Sequence, residues 1–289
     1  MAAPLRIGYQ GEPGAYSEAA TRALFGDEVE AVPCDTFDQV FEQVESGAFD
    51  RGVVPVENSL AGSIHRNYDL LLQHTLHITA EHNLRVSHCL IAHPGARMED
   101  LRHVYSHPQA LAQCEQSLSA LPGIEIHATY DTAGSVKMVK ESGDLTAAAI
   151  ASARAAEIYG MQVLVHQFED EKANYTRFVA ISREPATPAP GVEAKTTVAF
   201  AGVNRPGLLW RCLSAFALRD IDLSKIESRP LKGVPWQYVF YVDMGGASQE
   251  GPGKRALDQL REMTTFVRVL GTYARADSTL VDSEQGQGE

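Results

Sequence analysis

The run Glu184-Pro185-Ala186-Thr187-Pro188-Ala189-Pro190-Gly191 constrains this chain more than any other feature. Proline fixes φ and has no N–H to donate, so three prolines in eight residues cannot sit inside a helix or a central strand. They suit an extended linker. The chain on either side reads differently. Before the linker, strand-like segments at 6–10, 51–56, 88–92, 147–151 and 176–181 alternate with helix-like segments at 17–25, 65–74, 108–118 and 152–159. Ser17 stands at a cap position, Ser106 precedes Pro108 in a first turn, and Gly160 closes a helix. Such alternation predicts an α/β fold with a mainly parallel sheet covered on both faces. After the linker the order is strand 196–202, helix 206–219, strand 221–228, strand 236–244, helix 253–264, strand 266–273. That is the ferredoxin-like βαββαβ arrangement. The expected organisation is therefore a first domain over 1–184, a linker over 185–194, a second domain over 195–276, and a polar, disordered tail over 277–289.

Composition narrows the function classes. A net charge of −12 disfavours general binding to nucleic acid or anionic membrane. No apolar run approaches the ~20 residues that cross a bilayer. The start, Met1-Ala2-Ala3-Pro4-Leu5-Arg6-Ile7-Gly8, has no basic segment followed by an apolar one, so no signal peptide is read. Cys34, Cys89, Cys114 and Cys212 are scattered and read as reduced thiols of a cytoplasmic protein.

Ligands of open α/β folds sit at the carboxyl ends of strands. The turns there are Gly11-Glu12-Pro13-Gly14-Ala15-Tyr16-Ser17, Glu57-Asn58-Ser59-Leu60-Ala61-Gly62-Ser63, Ser106-His107-Pro108-Gln109 and Asp131-Thr132-Ala133-Gly134-Ser135. All are small, hydroxyl-bearing or amide-bearing, and all are expected to precede helices, whose free N–H groups favour an anion. The same residue types also serve simply as helix caps. Gly8-x-x-Gly11-x-x-Gly14 is not the dinucleotide fingerprint, and neither a phosphate loop nor a Gly-x-Ser-x-Gly elbow is present. The histidines, His74-x-x-His77 included, show no zinc-ligand spacing, so no metal is expected. In Thr176-Arg177-Phe178 the guanidinium has two readings, a rim charge or a bidentate carboxylate clamp.

These turns, taken with Thr176-Arg177-Phe178, resemble the prephenate dehydratase family. The segments that carry the resemblance are Gly11-x-Pro13-Gly14-Ala15-Tyr16-Ser17, Val54-Pro55-Val56-Glu57-Asn58-Ser59, Ser106-His107-Pro108-Gln109, Asp131-Thr132-Ala133 and Thr176-Arg177-Phe178. The region after the linker resembles a phenylalanine-sensing ACT domain through Asn204-Arg205-Pro206-Gly207-Leu208-Leu209 and Glu227-Ser228-Arg229-Pro230. Together they span about 5–275 in the family's order. Ala15 stands where many members carry threonine, and Leu208 where the common sensing loop has alanine. The stretch 58–69 is also similar to plant-type arogenate dehydratases.

The resemblance implies a two-lobed, periplasmic-binding-protein-like catalytic domain with lobes 1–82 plus 175–183 and 83–174, and no chorismate mutase module. It implies a carbon–oxygen lyase of L-phenylalanine biosynthesis that needs no cofactor and converts prephenate to phenylpyruvate, carbon dioxide and water. Thr176 would assist the leaving hydroxyl. Asn58, Ser59, Ser106, Gln109, Asp131, Thr132 and Phe178 would contact substrate, and Arg177 would hold the carboxylate that stays. L-Phenylalanine would bind Asn204, Pro206, Gly207, Leu208, Leu209, Glu227 and Ser228 between ACT domains of a homodimer or homotetramer. The alternatives are an arogenate dehydratase, with the same chemistry on an aminated arm, and a ligand sensor that has lost catalysis.

Overall fold

The structure is a computed structural model that describes residues 3–231 and 233–276. The tail expected to be disordered, 277–289, lies outside the described residues. By contact density the chain divides into one unit of residues up to 67 with 82–178, and another of 68–81 with 179 onward.

Two sheets organise the part before the linker. The first runs in the order Glu30–Cys34, Arg6–Gln10, Arg51–Asn58, Tyr175–Ser182, His77–Arg85, with the short strand Gly62–Ser63 paired to Arg51–Asn58. The second runs Gln162–Val165, Cys89–Ala92, Ala147–Ala151, His103–Ser106, Glu125–Ala128. The expectation of a mainly parallel sheet is corrected, because both sheets are mixed. In the second, His103–Ser106 is parallel to both of its neighbours, whereas Cys89–Ala92 is antiparallel to both of its own. Ala147–Ala151 is buried at every position, which is why it reads as an unbroken apolar run. Its alternate side chains feed two cores, Ala147, Ala149 and Ala151 one, Ala148 and Ile150 the other.

Local chemistry sets the helix ends. Thr36 caps Phe37–Ser46 by accepting from the N–H of Gln39, and Gly47, in the left-handed region, closes it. Ser152 caps Ala153–Tyr159, and Gly160 ends it as expected. Two expectations are corrected. Ser17 is not a cap: the helix is Tyr16–Phe25, Ala15 occupies the cap position without a side-chain bond, and Glu18 reaches back to the N–H of Gly14 at 2.7 Å. The helix expected over 108–118 is two, Pro108–Gln113 and Glu115–Ser119, since Cys114 at φ −121° and ψ 22° leaves the helical region.

In the second unit, Ala194–Ala201, Leu208–Ala217, Leu223–Pro230, Tyr238–Gly245, Gly251–Met263 and Phe266–Ala274 follow in βαββαβ order. The sheet is antiparallel in the order Leu223–Pro230, Tyr238–Gly245, Ala194–Ala201, Phe266–Ala274. Val198, Phe200, Leu208, Cys212, Phe216, Leu257 and Leu260 pack between sheet and helices. The first helix begins after Gly207, whose φ of 80° turns the chain in a way that favours glycine. Residues 68–81 are tied to this unit by Arg268, which donates to the carbonyls of Leu72, His74 and Leu76. Among the described residues, no helix is long and apolar enough to cross a membrane.

Candidate active site

A cleft of about 570 Å³ opens in the first unit where strand ends and helix starts meet. Its wall includes the starts of three long helices, at Ala15-Tyr16-Ser17, Thr36-Phe37-Asp38 and Asp131-Thr132. The partial positive charge at such ends favours an anion. Gly14 holds the first of these starts in place. Its φ is 93°, a Cβ there would lie 2.7 Å from Cα of Ala155, and its carbonyl accepts from Ser152 Oγ at 2.7 Å. A side chain would force the two elements apart.

Thr176 and Phe178 form part of the lining. They alternate along Tyr175–Ser182 with Arg177, which therefore faces the other side of the sheet. There its guanidinium lies 4.0 Å from Glu57 Oε2. Thr176 Oγ1 accepts from Asn58 Nδ2 at 3.0 Å. The same amide nitrogen reaches Asn174 Oδ1 at 2.8 Å and the carbonyl of Tyr175 at 3.2 Å, while Asn58 Oδ1 accepts from the N–H groups of Leu60 and Ala61. Asn174 Nδ2 donates to Gln113 Oε1, which His88 Nε2 also meets at 3.0 Å. His88 Nδ1 in turn lies 3.0 Å from the Tyr16 hydroxyl, back at the cleft wall. A buried chain of carboxamides thus braces the threonine. Since Asn58 donates to Oγ1, the hydroxyl proton of Thr176 is left for a bound molecule, and among the described residues no protein acceptor takes it.

The donors around the cleft are neutral. Burial lowers His88 and His107 below the ordinary imidazole value. Burial and then Glu12 push Tyr130 up to about 12, and burial raises Tyr16 well above the usual phenol. Among the described residues lining the cleft there is no lysine or arginine. Three carboxylates line it. Asp38 pairs with Arg66, and Asp131 accepts from the N–H groups of Ala133 and Glu12. Asp35 is exposed, and among the described residues only its backbone N–H is engaged, by Gln39.

Of the residues picked from the sequence, Asn58, Gln109, Asp131, Thr132, Thr176 and Phe178 meet in this cleft. Three do not. Ser106 is fully buried and spends its hydroxyl on the carbonyl of Ile150 at 2.6 Å. Ser59 staples its loop to the last strand, donating to the carbonyl of Ala173 and accepting from the N–H of Tyr175. Arg177 is on the opposite face, so the carboxylate-clamp reading loses its geometry. His107, rather than Ser106, caps the short helix by accepting from the N–H of Gln109. The start at Thr36-Phe37-Asp38 was missed, although Thr36-x-x-Gln39 carries the capping-box pattern.

A second cavity of about 360 Å³ lies in the βαββαβ unit, lined by Gly202, Asn204, Arg205, Gly207, Leu208, Leu209, Trp210, Tyr238 and Phe240. Asn204, Gly207, Leu208 and Leu209 were picked from the sequence. Pro206 does not line it, nor do Glu227 and Ser228, which lie on the edge strand Leu223–Pro230. Tyr238 and Phe240, contributed by the neighbouring strand, were missed.

The prephenate dehydratase family matches this chain over residues 7–186. A chloroplastic arogenate dehydratase/prephenate dehydratase of Arabidopsis thaliana is 47% identical over 286 residues, which cover 96% of this chain and 74% of the relative. Among solved structures, prephenate dehydratase of Arthrobacter aurescens in complex with L-Phe superimposes with a TM-score of 0.87 at 30% identity, covering 94% of this chain and 90% of that one. GqqA, described as a novel type of quorum quenching acylase, does so with a TM-score of 0.86 at 37% identity, covering 95% of this chain and 99% of that one. The chain belongs to the prephenate dehydratase family and is a carbon–oxygen lyase. The expectation of a cytoplasmic protein is corrected by the same comparison, since the Arabidopsis relative is chloroplastic.

Proposed function

We propose that the cleft performs the decarboxylating dehydration of prephenate, with Thr176 donating to the hydroxyl that leaves. The ring carboxylate departs as carbon dioxide and its bonding pair moves into the ring, expelling the hydroxyl, which leaves as water with one proton drawn from solvent and relayed past Thr176, whose own hydroxyl donates a hydrogen bond and keeps its proton overall. The ring becomes aromatic, so no cofactor has to accept electrons. The observation that carries this reading is Asn58 Nδ2 donating to Thr176 Oγ1, which orients the threonine as a donor toward the cleft.

Neutral donors and helix starts suit the departing carboxylate, because a strong cation paired to it would resist its loss of charge. The retained carboxylate is then held by the helix starts rather than by Arg177. Asp35, an exposed carboxylate on the wall, favours a second substrate, arogenate, whose side arm carries an ammonium. The two sheets correspond to lobes that close on substrate as in periplasmic binding proteins. The βαββαβ unit is an ACT domain whose cavity at Asn204, Gly207, Leu208 and Leu209 takes L-phenylalanine, and its edge strand Leu223–Pro230 pairs with a second copy.

The test is turnover of both substrates by the purified chain, with phenylpyruvate and phenylalanine measured separately and with L-phenylalanine added. Formation of either product supports the reading. Binding of both substrates without product supports the sensor instead, and no response in rate or sedimentation rejects the effector site.

A further inference from the structure

Away from the cleft, the strands His103–Ser106 and Glu125–Ala128 run parallel, with His103 opposite Glu125 and Tyr105 opposite His127. Side chains two apart on a strand share a face. His103, Glu125 and His127 therefore project together from one side of the sheet. His103 Nδ1 lies 3.2 Å from His127 Nε2 and 3.4 Å from Glu125 Oε2, and His127 Nε2 lies 3.8 Å from the same oxygen. We propose that these three side chains form a divalent transition-metal site of the zinc class.

The distances carry the assignment. Bonds of ~2.0–2.2 Å at tetrahedral angles separate ligand atoms by roughly 3.3–3.6 Å. The three observed separations bracket that edge, so an ion fits over the triangle with a fourth position open to solvent. Two imidazoles and one carboxylate form a donor set for zinc, cobalt or nickel, not for calcium or magnesium, which require oxygen. The ring of Tyr105 stacks on His127 with centroids 4.7 Å apart and planes at 18°, which holds that imidazole in the ligating orientation before any ion arrives.

Sequence spacing did not reveal the site because its third ligand arrives through strand register, from twenty-odd residues away. Glu125–Ala128 is the edge strand of its sheet, and the chain runs from it directly into Tyr130-Asp131-Thr132 of the cleft wall. An ion here staples that edge to its neighbour.

The test uses the full chain after dialysis against a chelator. Co²⁺ is titrated by its visible absorption, and Zn²⁺ by competition with an indicator dye. About one equivalent should bind, with the strong absorption of a low-coordinate Co²⁺ site. His103→Gln, His127→Gln and the shape-preserving Glu125→Gln should each weaken binding roughly tenfold or more. His77→Gln, on a strand of a different sheet, should leave it unchanged. Zn²⁺ should raise the melting temperature of the wild-type chain and not of the three variants. The proposal is overturned if Co²⁺ does not bind, if binding survives in all three variants, or if His77→Gln weakens it equally.

Discussion

Thr176→Val separates chemistry from folding. Valine keeps the shape and removes the hydroxyl. Asn58 Nδ2 loses one acceptor at 3.0 Å but keeps Asn174 Oδ1 at 2.8 Å and the Tyr175 carbonyl at 3.2 Å, so both of its protons remain satisfied. The stability cost is thus one net hydrogen bond, about 1 kcal/mol. The catalytic cost is larger. Assistance to a leaving group by a placed donor is worth ~10²–10⁴-fold, about 2.7–5.4 kcal/mol of barrier at ~1.36 kcal/mol per tenfold. The interaction exists mainly as the C–O bond breaks, so kcat falls while KM stays within a few-fold. Steady-state turnover of prephenate and arogenate, alongside urea denaturation, measures both quantities. Thr176→Ser should recover most of the rate. If the valine variant folds and turns over within threefold of wild type, the donor role of Thr176 is wrong.

Arg177→Gln should leave KM within about threefold, because the guanidinium lies on the far face beside Glu57, while lowering stability by about 1 kcal/mol; a KM raised tenfold or more in a folded variant would restore the carboxylate clamp. His82, His88 and His107 are all held below the ordinary imidazole value by burial. As pH falls below ~6.5 the unfolded chain takes up protons that the folded chain refuses, so stability drops from that point downward; denaturation at pH 7.5 and 5.5 should show it, and equal midpoints would contradict it. Gly271→Ala would put a Cβ 2.1 Å from the carbonyl oxygen of Ile78. Backbone cannot yield as a flexible side chain does, so about 1–3 kcal/mol should be lost, and an unchanged melting temperature would show that the strand shifts freely.

What the sequence disclosed follows burial. Ala147–Ala151 was legible because every position is inside. Glu30–Cys34 escaped because it is an edge strand, half exposed and interrupted by Pro33. The site divided along another line. Asn58 and Thr176 were found through a motif, but the motif does not say which face of a strand each residue takes. Alternation sends Arg177 away from the cleft, and Ser106 is consumed by a neighbouring strand that no local pattern announces. The relay through Asn174, Gln113 and His88 was invisible for the same reason: its members lie far apart in sequence and meet only in the folded chain.

The carboxamides behind Thr176 sit where the chain passes from one sheet to the other. Val86 N–H donates to the Asn174 carbonyl, Phe168 N–H to the His88 carbonyl, and the Tyr16 hydroxyl to the Ser87 carbonyl. These bonds tie the two crossing segments to each other and to the sheets they join. The hydroxyl proposed to assist the leaving group and the crossing between the sheets thus draw on a common set of contacts, so under the proposed mechanism a change at that crossing would also reset the donor.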